Sequence, residues 1–211
     1  GYFDQYLAQQ GYVVFTLDNR GAGFRGTRFE GAIHRRLSNV EVEDQVRGVD
    51  FLRTLPYVDA TRVGVFGWSY GGYMALMCMV RAPEHFTAGV SGAPVTDWRL
   101  YDTHYTERYM GTPADNPQGY RDSMVMTHAA NLRGPLLIMH GMADDNVLFT
   151  NSTALFKRLQ DLNKQYDSVL YPGSKHGLLR FKGTGPHGYA TIQRFFDAAL
   201  REPSATGISS K

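Results

Sequence analysis

The chain has 211 residues, 43% of them hydrophobic and 20% charged, the composition of one ordinary globular domain that can bury a core without metal or disulfide staples. Its 22 Lys and Arg nearly balance 20 Asp and Glu, for a formal charge of +2, which excludes a basic footprint for nucleic acid or anionic lipid. The single cysteine, Cys78, excludes an intramolecular disulfide framework and a cysteine-based zinc site.

Gly1 to Gly11 reads as a helix already under way and ended by glycine, so the sequence is expected to be a piece of a longer protein. No apolar run reaches the ~18 residues of a membrane helix. Tyr12–Leu17 reads as a strand, and Asp18–Gly26 as a glycine-punctuated loop. From Val40 to Leu55 apolar residues recur at helical spacing, with acids early and arginines late, as the helix dipole favours. Arg62–Gly67 is a second strand. Tyr70–Met79 is apolar on nearly every face and reads as a buried helix, with Cys78 as a small core residue. Phe86–Val90 is a third strand. Residues 96–130, rich in Tyr, Asp, Pro and Gly, read as a long irregular insertion, which in a compact domain is usually functional. Pro135–His140 is a strand, Asn151–Leu162 a helix, Ser168–Tyr171 a strand and Tyr189–Leu200 a closing helix. The tail, residues 201–211, is expected to be disordered. Short, nearly all-apolar strands separated by helices indicate a mostly parallel sheet with helices on both faces, an α/β fold.

Gly67-Trp-Ser-Tyr-Gly71 matches G-x-S-x-G at a strand-to-helix junction, the context of a nucleophile elbow. The turn is expected to need glycine at 67 and 71, to force Ser69 into a strained conformation, and to aim the Tyr70 N–H at a developing oxyanion. No lysine follows the glycines, which argues against a phosphate loop. In hydrolases with this elbow the partners follow in the order Ser, acid, His. His176 stands just after a strand, where sites gather in open parallel sheets, and is favoured over His187, which reads as an exposed loop residue. The acid is expected in the loop after the preceding strand, and position alone leaves Asp144 and Asp145 open. His140 reads as a structural hydrogen-bonding residue.

Three segments carry a more specific likeness. Gly67-Trp-Ser-Tyr-Gly-Gly-Tyr73, Tyr101-Asp-Thr-His-Tyr-Thr-Glu-Arg-Tyr-Met-Gly111 and His140-Gly-Met-Ala-Asp-Asp-Asn-Val147 together resemble the dipeptidyl peptidase IV branch of the prolyl oligopeptidase family of serine peptidases. The likeness runs to about residue 200 and includes Arg35-Arg36 and Val40–Gln45. It implies an α/β-hydrolase catalytic domain over residues 1–200, incomplete at its N-terminal end. It implies Ser69 as nucleophile, His176 as base and Asp144 as acid. Tyr70, Val95, Trp98, Tyr101, Tyr105 and Val147 would wall a slot for a proline side chain, and Asn146 would bond a substrate carbonyl. The implied activity is removal of N-terminal dipeptides with Pro or Ala second, with peptides as substrates and no metal or organic cofactor.

The resemblance also implies parts that lie outside this sequence. An N-terminal β-propeller would supply the glutamates that hold the substrate's amino terminus. A tyrosine upstream of Gly1 would be the second oxyanion donor, and losing one such donor costs about 10²–10³ in rate. Weak activity of the chain alone is therefore expected. Homodimerisation is possible in the family, and its members are commonly periplasmic, secreted or membrane-anchored. Two other readings stand beside this one. The chain could be another family enzyme, acylaminoacyl peptidase-like or an esterase, or a non-catalytic domain serving only assembly.

Overall fold

The computed structural model describes residues 1–201; the expected tail lies, beyond Arg201, outside them. In chain order the elements are α1 (Tyr2–Gln9), α2 (Thr27–Glu30), α3 (Asn39–Arg53), β1 (Gly64–Trp68), α4 (Tyr70–Arg81), β2 (Ala88–Gly92), α5 (Thr103–Met110), α6 (Pro117–Ser123), α7 (Val125–His128), β3 (Leu136–Gly141), α8 (Thr150–Asp161), β4 (Asp167–Tyr171) and α9 (Thr184–Leu200). The strands form one parallel sheet in the order β1-β2-β3-β4.

Alternation along the central strands divides the core in two. Ala88 and Val90 of β2, with Leu137 and Met139 of β3, pack with Ile192, Phe196 and Leu200 of α9. The intervening Leu136 and Ile138 join the larger cluster with α4, α8 and the 95–132 region. Both faces of the sheet are therefore covered, which is why β2 and β3 are buried throughout. Helix α4 is buried from Gly72 to Val80. It lies so close to the sheet that a Cβ on Gly72 would stand 2.4 Å from the Gly92 carbonyl oxygen.

Three expectations need correction. Tyr12–Leu17 joins no ladder. β1 is the edge of the described sheet, and a cavity of ≈ 780 Å³ is lined by residues of both segments. The run pairs with neither β1 nor any other described strand, and Val13 and Phe15 are exposed. Residues 96–130 are largely helical rather than irregular. Their helices are too short for periodicity to show, and two are set by side-chain caps: Asp102 accepts from Tyr105 N at the start of α5, and Asn116 from Gly119 N at the start of α6, with Pro117 opening that helix. Finally, α9 begins at Thr184, so the exposed His187 sits on a helix, not in a loop. Gly185 and Gly188 permit this, because a Cβ on either would lie within 2.6 Å of Leu179, and Pro186 falls in the first turn, where its missing N–H costs nothing.

Candidate active site

The elbow lies between β1 and α4. Ser69 holds φ 61° and ψ −118°, a conformation that costs a side-chain-bearing residue about 1–3 kcal/mol. Its own N–H donates to the Gly92 carbonyl at 2.8 Å, which fixes the turn against β2. A Cβ on Gly67 would sit 2.1 Å from the Gly71 carbonyl oxygen, so glycine is required there. A Cβ on Gly71 would meet nothing within 4 Å. The crowding thus falls on Gly67 and on Gly72, and not on Gly71 as the motif had implied. Tyr70 heads α4, where the first amides have no intrahelical acceptor, so its N–H is free to meet an oxyanion.

Loops after β3 and β4 bring two further groups to Ser69. His176 Nε2 is 2.8 Å from Ser69 Oγ, and His176 Nδ1 is 2.7 Å from Asp144 Oδ2. Asp144 can only accept, so Nδ1 carries the hydrogen and Nε2 is left to take one from the serine hydroxyl. The His176 loop is pinned from below, because the Trp68 indole donates to the His176 carbonyl oxygen at 2.9 Å.

Asp144 is buried and accepts on both oxygens. Oδ1 takes the amides of Asn146 (2.9 Å) and Val147 (3.0 Å). Oδ2 takes His176 Nδ1 and, at 3.2 Å, His140 Nε2. Burial alone would raise this carboxyl, but the hydrogen bonds from the two imidazoles and the backbone prevail and hold it well below the usual carboxylate range. His140, fully buried, faces the Val147 carbonyl (2.9 Å) and Asp144 through Nε2, so Nε2 bears a hydrogen, while Nδ1 meets the Ser152 hydroxyl at 2.7 Å. Asp145 is exposed and pairs with Lys175 at 2.5 Å, which lowers its carboxyl. The two adjacent acids are thus separated by burial, which position in the chain could not reveal.

The aromatic residues form one cluster beside the elbow. Trp98 lies 5.7 Å from Tyr70, 6.0 Å from Tyr101 and 5.9 Å from Tyr105, ring centre to ring centre. Trp98, Val95 and Val147 are buried, whereas Tyr70, Tyr101 and Tyr105 keep partly open faces. Burial pushes the Tyr105 phenol up to about 12. The Tyr101 hydroxyl donates to Asn146 Oδ1 at 2.8 Å, which leaves the Asn146 amide hydrogens for another acceptor. Glu41 escaped the sequence reading, which treated it as a first-turn acid for the helix dipole. It is 1% exposed and accepts the Tyr70 hydroxyl at 2.6 Å. In α3, far from the motif in the chain, its first-turn neighbours Val40 and Val42, both buried, are the one hint that this end of the helix is covered.

Among the described residues no group of three His, Cys, Asp or Glu is arranged to hold a metal ion, and no helix is long and apolar enough to cross a membrane.

Comparison with known proteins is consistent with this geometry. The model of the prolyl oligopeptidase family matches residues 3–203. Dipeptidyl peptidase 8 of Mus musculus is 42% identical over 185 residues, covering 86% of this chain and 21% of that protein. A protein named "Probable dipeptidyl-aminopeptidase B" from Trichophyton verrucosum is 44% identical over 181 residues, covering 83% of this chain and 20% of its own length. The crystal structure of Porphyromonas gingivalis dipeptidyl peptidase 4 superposes with a TM-score of 0.91 at 40% identity, over 94% of this chain and 28% of that one. The chain therefore spans about a fifth of the curated relatives it matches. The fold is that of the α/β-hydrolase domains of these enzymes, and the chain belongs to the prolyl oligopeptidase family.

Proposed function

We propose that this chain is the catalytic domain of a serine dipeptidyl peptidase, with residues 1–200 as the domain. The observation that carries the proposal is the unbroken series Ser69 Oγ, His176 Nε2, His176 Nδ1, Asp144 Oδ2, with links of 2.8 and 2.7 Å. Ser69 Oγ attacks the scissile carbonyl carbon while His176 Nε2 takes the hydroxyl proton. The carbonyl oxygen becomes an oxyanion at the Tyr70 N–H. Asp144 stays ionised and stabilises the imidazolium without taking its proton. Collapse of the tetrahedral intermediate breaks the C–N bond, and His176 returns the proton to the leaving amine. Water then attacks the acyl-enzyme by the same proton route, releasing the acid and free Ser69.

Tyr70, Tyr101 and Tyr105, backed by Val95, Trp98 and Val147, form the slot. Flat, apolar and lined by aromatic rings, it suits a pyrrolidine ring, which has no N–H to satisfy; alanine would fill it less well. Asn146, turned by Tyr101, donates to a carbonyl of the dipeptide. Dipeptide counting needs a grip on the substrate's amino terminus, which by resemblance belongs to a β-propeller in the parent protein. Dipeptidyl peptidase turnover by this chain alone is accordingly expected to be low.

A substrate panel tests the reading. X-Pro amides should be cleaved faster than X-Ala amides, and both faster than N-acylated amino-acid amides, with a propeller-containing parent raising the first two. Preference for acylated residues or simple esters would instead favour an acylaminoacyl peptidase or esterase. Turnover by the isolated chain equal to that of the longer protein would contradict the role given to the propeller.

A further inference from the structure

The elbow tyrosine is tied to a carboxyl that the acyl-transfer scheme does not use. Glu41 sits in the first turn of α3, 1% exposed. Its Oε1 accepts the Tyr70 hydroxyl at 2.6 Å, while its Oε2 has no hydrogen-bond partner among the described residues. A carboxyl in such a place is costly. If its task were only to hold α3 against α4, an apolar side chain would serve at less expense in stability. The bond instead ends on the residue that does two things at the site: its N–H follows Ser69, and its ring is a wall of the slot, 5.6 Å from Tyr73 and 5.7 Å from Trp98. A tyrosine ring can turn about two side-chain bonds, and ring packing alone leaves its tilt loosely set; an anchored hydroxyl removes that freedom.

We infer that Glu41 is a positioning residue, which acts through the Tyr70 hydroxyl to hold the ring that shapes the slot and so sets selectivity for a pyrrolidine side chain. Burial pushes the Glu41 carboxyl up, against the pull of the Tyr70 hydroxyl, so a neutral amide is a fair substitute. Glu41→Gln keeps an acceptor for Tyr70. Glu41→Leu removes it.

The inference rests on the serine-hydrolase reading, and its test separates the two. Two covalent probes react with Ser69 Oγ at phosphorus: a simple alkyl fluorophosphonate, which loses fluoride, and a diphenyl phosphonate carrying a pyrrolidine ring, which loses phenoxide. In each, His176 takes the serine proton. The ratio of their labelling rates reads slot selectivity separately from nucleophile strength. Glu41→Leu should lower the pyrrolidine-to-alkyl ratio about tenfold, the effect of one well-placed hydrogen bond. Glu41→Gln should restore most of it. Tyr70→Phe cuts the same bond from the other end and should show a similar fall even if Glu41→Leu does not fold. The double variant should be no worse than either single one. An unchanged ratio in folded Glu41→Leu or Tyr70→Phe, or additive losses, would overturn the inference alone. A fall of both rates together with the ratio intact would assign Glu41 to general stability and overturn it too. No Ser69 labelling of the wild-type chain by either probe would overturn the hydrolase reading and this inference with it.

Discussion

The corner where β1, β3 and β4 end and the segment from Tyr12 to Leu17 have opposite characters. At the corner every group is determined more than once. Asp144 accepts four hydrogen bonds, His176 is held from the Asp144 side and by Trp68, and Ser69 is held in a strained backbone by Gly92 and Gly67. The 12–17 segment is more apolar, yet it joins no ladder and leaves Val13 and Phe15 in contact with water. Apolar composition is therefore not what orders a segment. Partners for its polar groups are, and a loop rich in Asp, Asn and Gly can be the better-determined region when it has them.

Substitutions can break this contrast, beginning with the largest expected effect. Asp144→Asn should lower the rate of Ser69 labelling by about 10⁴, because the amide no longer selects the His176 tautomer; stopped-flow or timed labelling measures it. A loss under tenfold would mean that the network around Asp144 is decorative. Gly67→Ala places a methyl 2.1 Å from the Gly71 carbonyl oxygen and should cost about 3 kcal/mol in urea unfolding. Gly71→Ala meets nothing within 4 Å and should gain about 0.5 kcal/mol by helix propensity. The reverse order would contradict the account of the elbow.

Acid titration sharpens the same contrast. The folded-state value of Asp144 lies well below its unfolded value, which is about 3.9. Its contribution to stability is therefore fully present above that range and is lost as pH falls towards the folded-state value. Urea unfolding of the wild type should weaken from pH 4 downward, and Asp144→Asn should flatten that limb. His140→Leu removes one of the four donors and leaves the Ser152 hydroxyl unpaired, for about 1–3 kcal/mol, again read by urea unfolding. Smallest of all, Phe15→Ser on the partly exposed segment should change stability by under about 0.5 kcal/mol, and Asp145→Asn in the exposed pair with Lys175 should leave the urea midpoint where it is. A large loss from Phe15→Ser would show that the 12–17 segment is packed more firmly than its exposure implies.

The same contrast explains what could be read from the sequence. Periodicity marks the helix from Asn39, uniform apolarity the buried helix from Tyr70, and short apolar runs the four strands that pair with one another. The last signal misplaces Tyr12–Leu17, because a strand is defined by a neighbour that composition cannot supply. The helices between Thr103 and His128 are too short for periodicity to reveal, and the first two of them are set by the side-chain caps Asp102 and Asn116. Ser69 and His176 stood out through a motif and a position. Asp144 could be told from Asp145 only by resemblance, since what separates them physically is burial. Glu41 is not legible in the sequence, because an acid in a first turn usually faces water, and only the fold shows that this one faces Tyr70.

The most direct measurement is labelling of the chain with a fluorophosphonate, mapping of the modified peptide by mass spectrometry, and a far-UV circular dichroism spectrum of the same sample. The account predicts a single label on Ser69, lost in Ser69→Ala and in His176→Ala while both variants keep the wild-type spectrum. A folded wild-type chain that takes no label, or a label that survives His176→Ala, would contradict it.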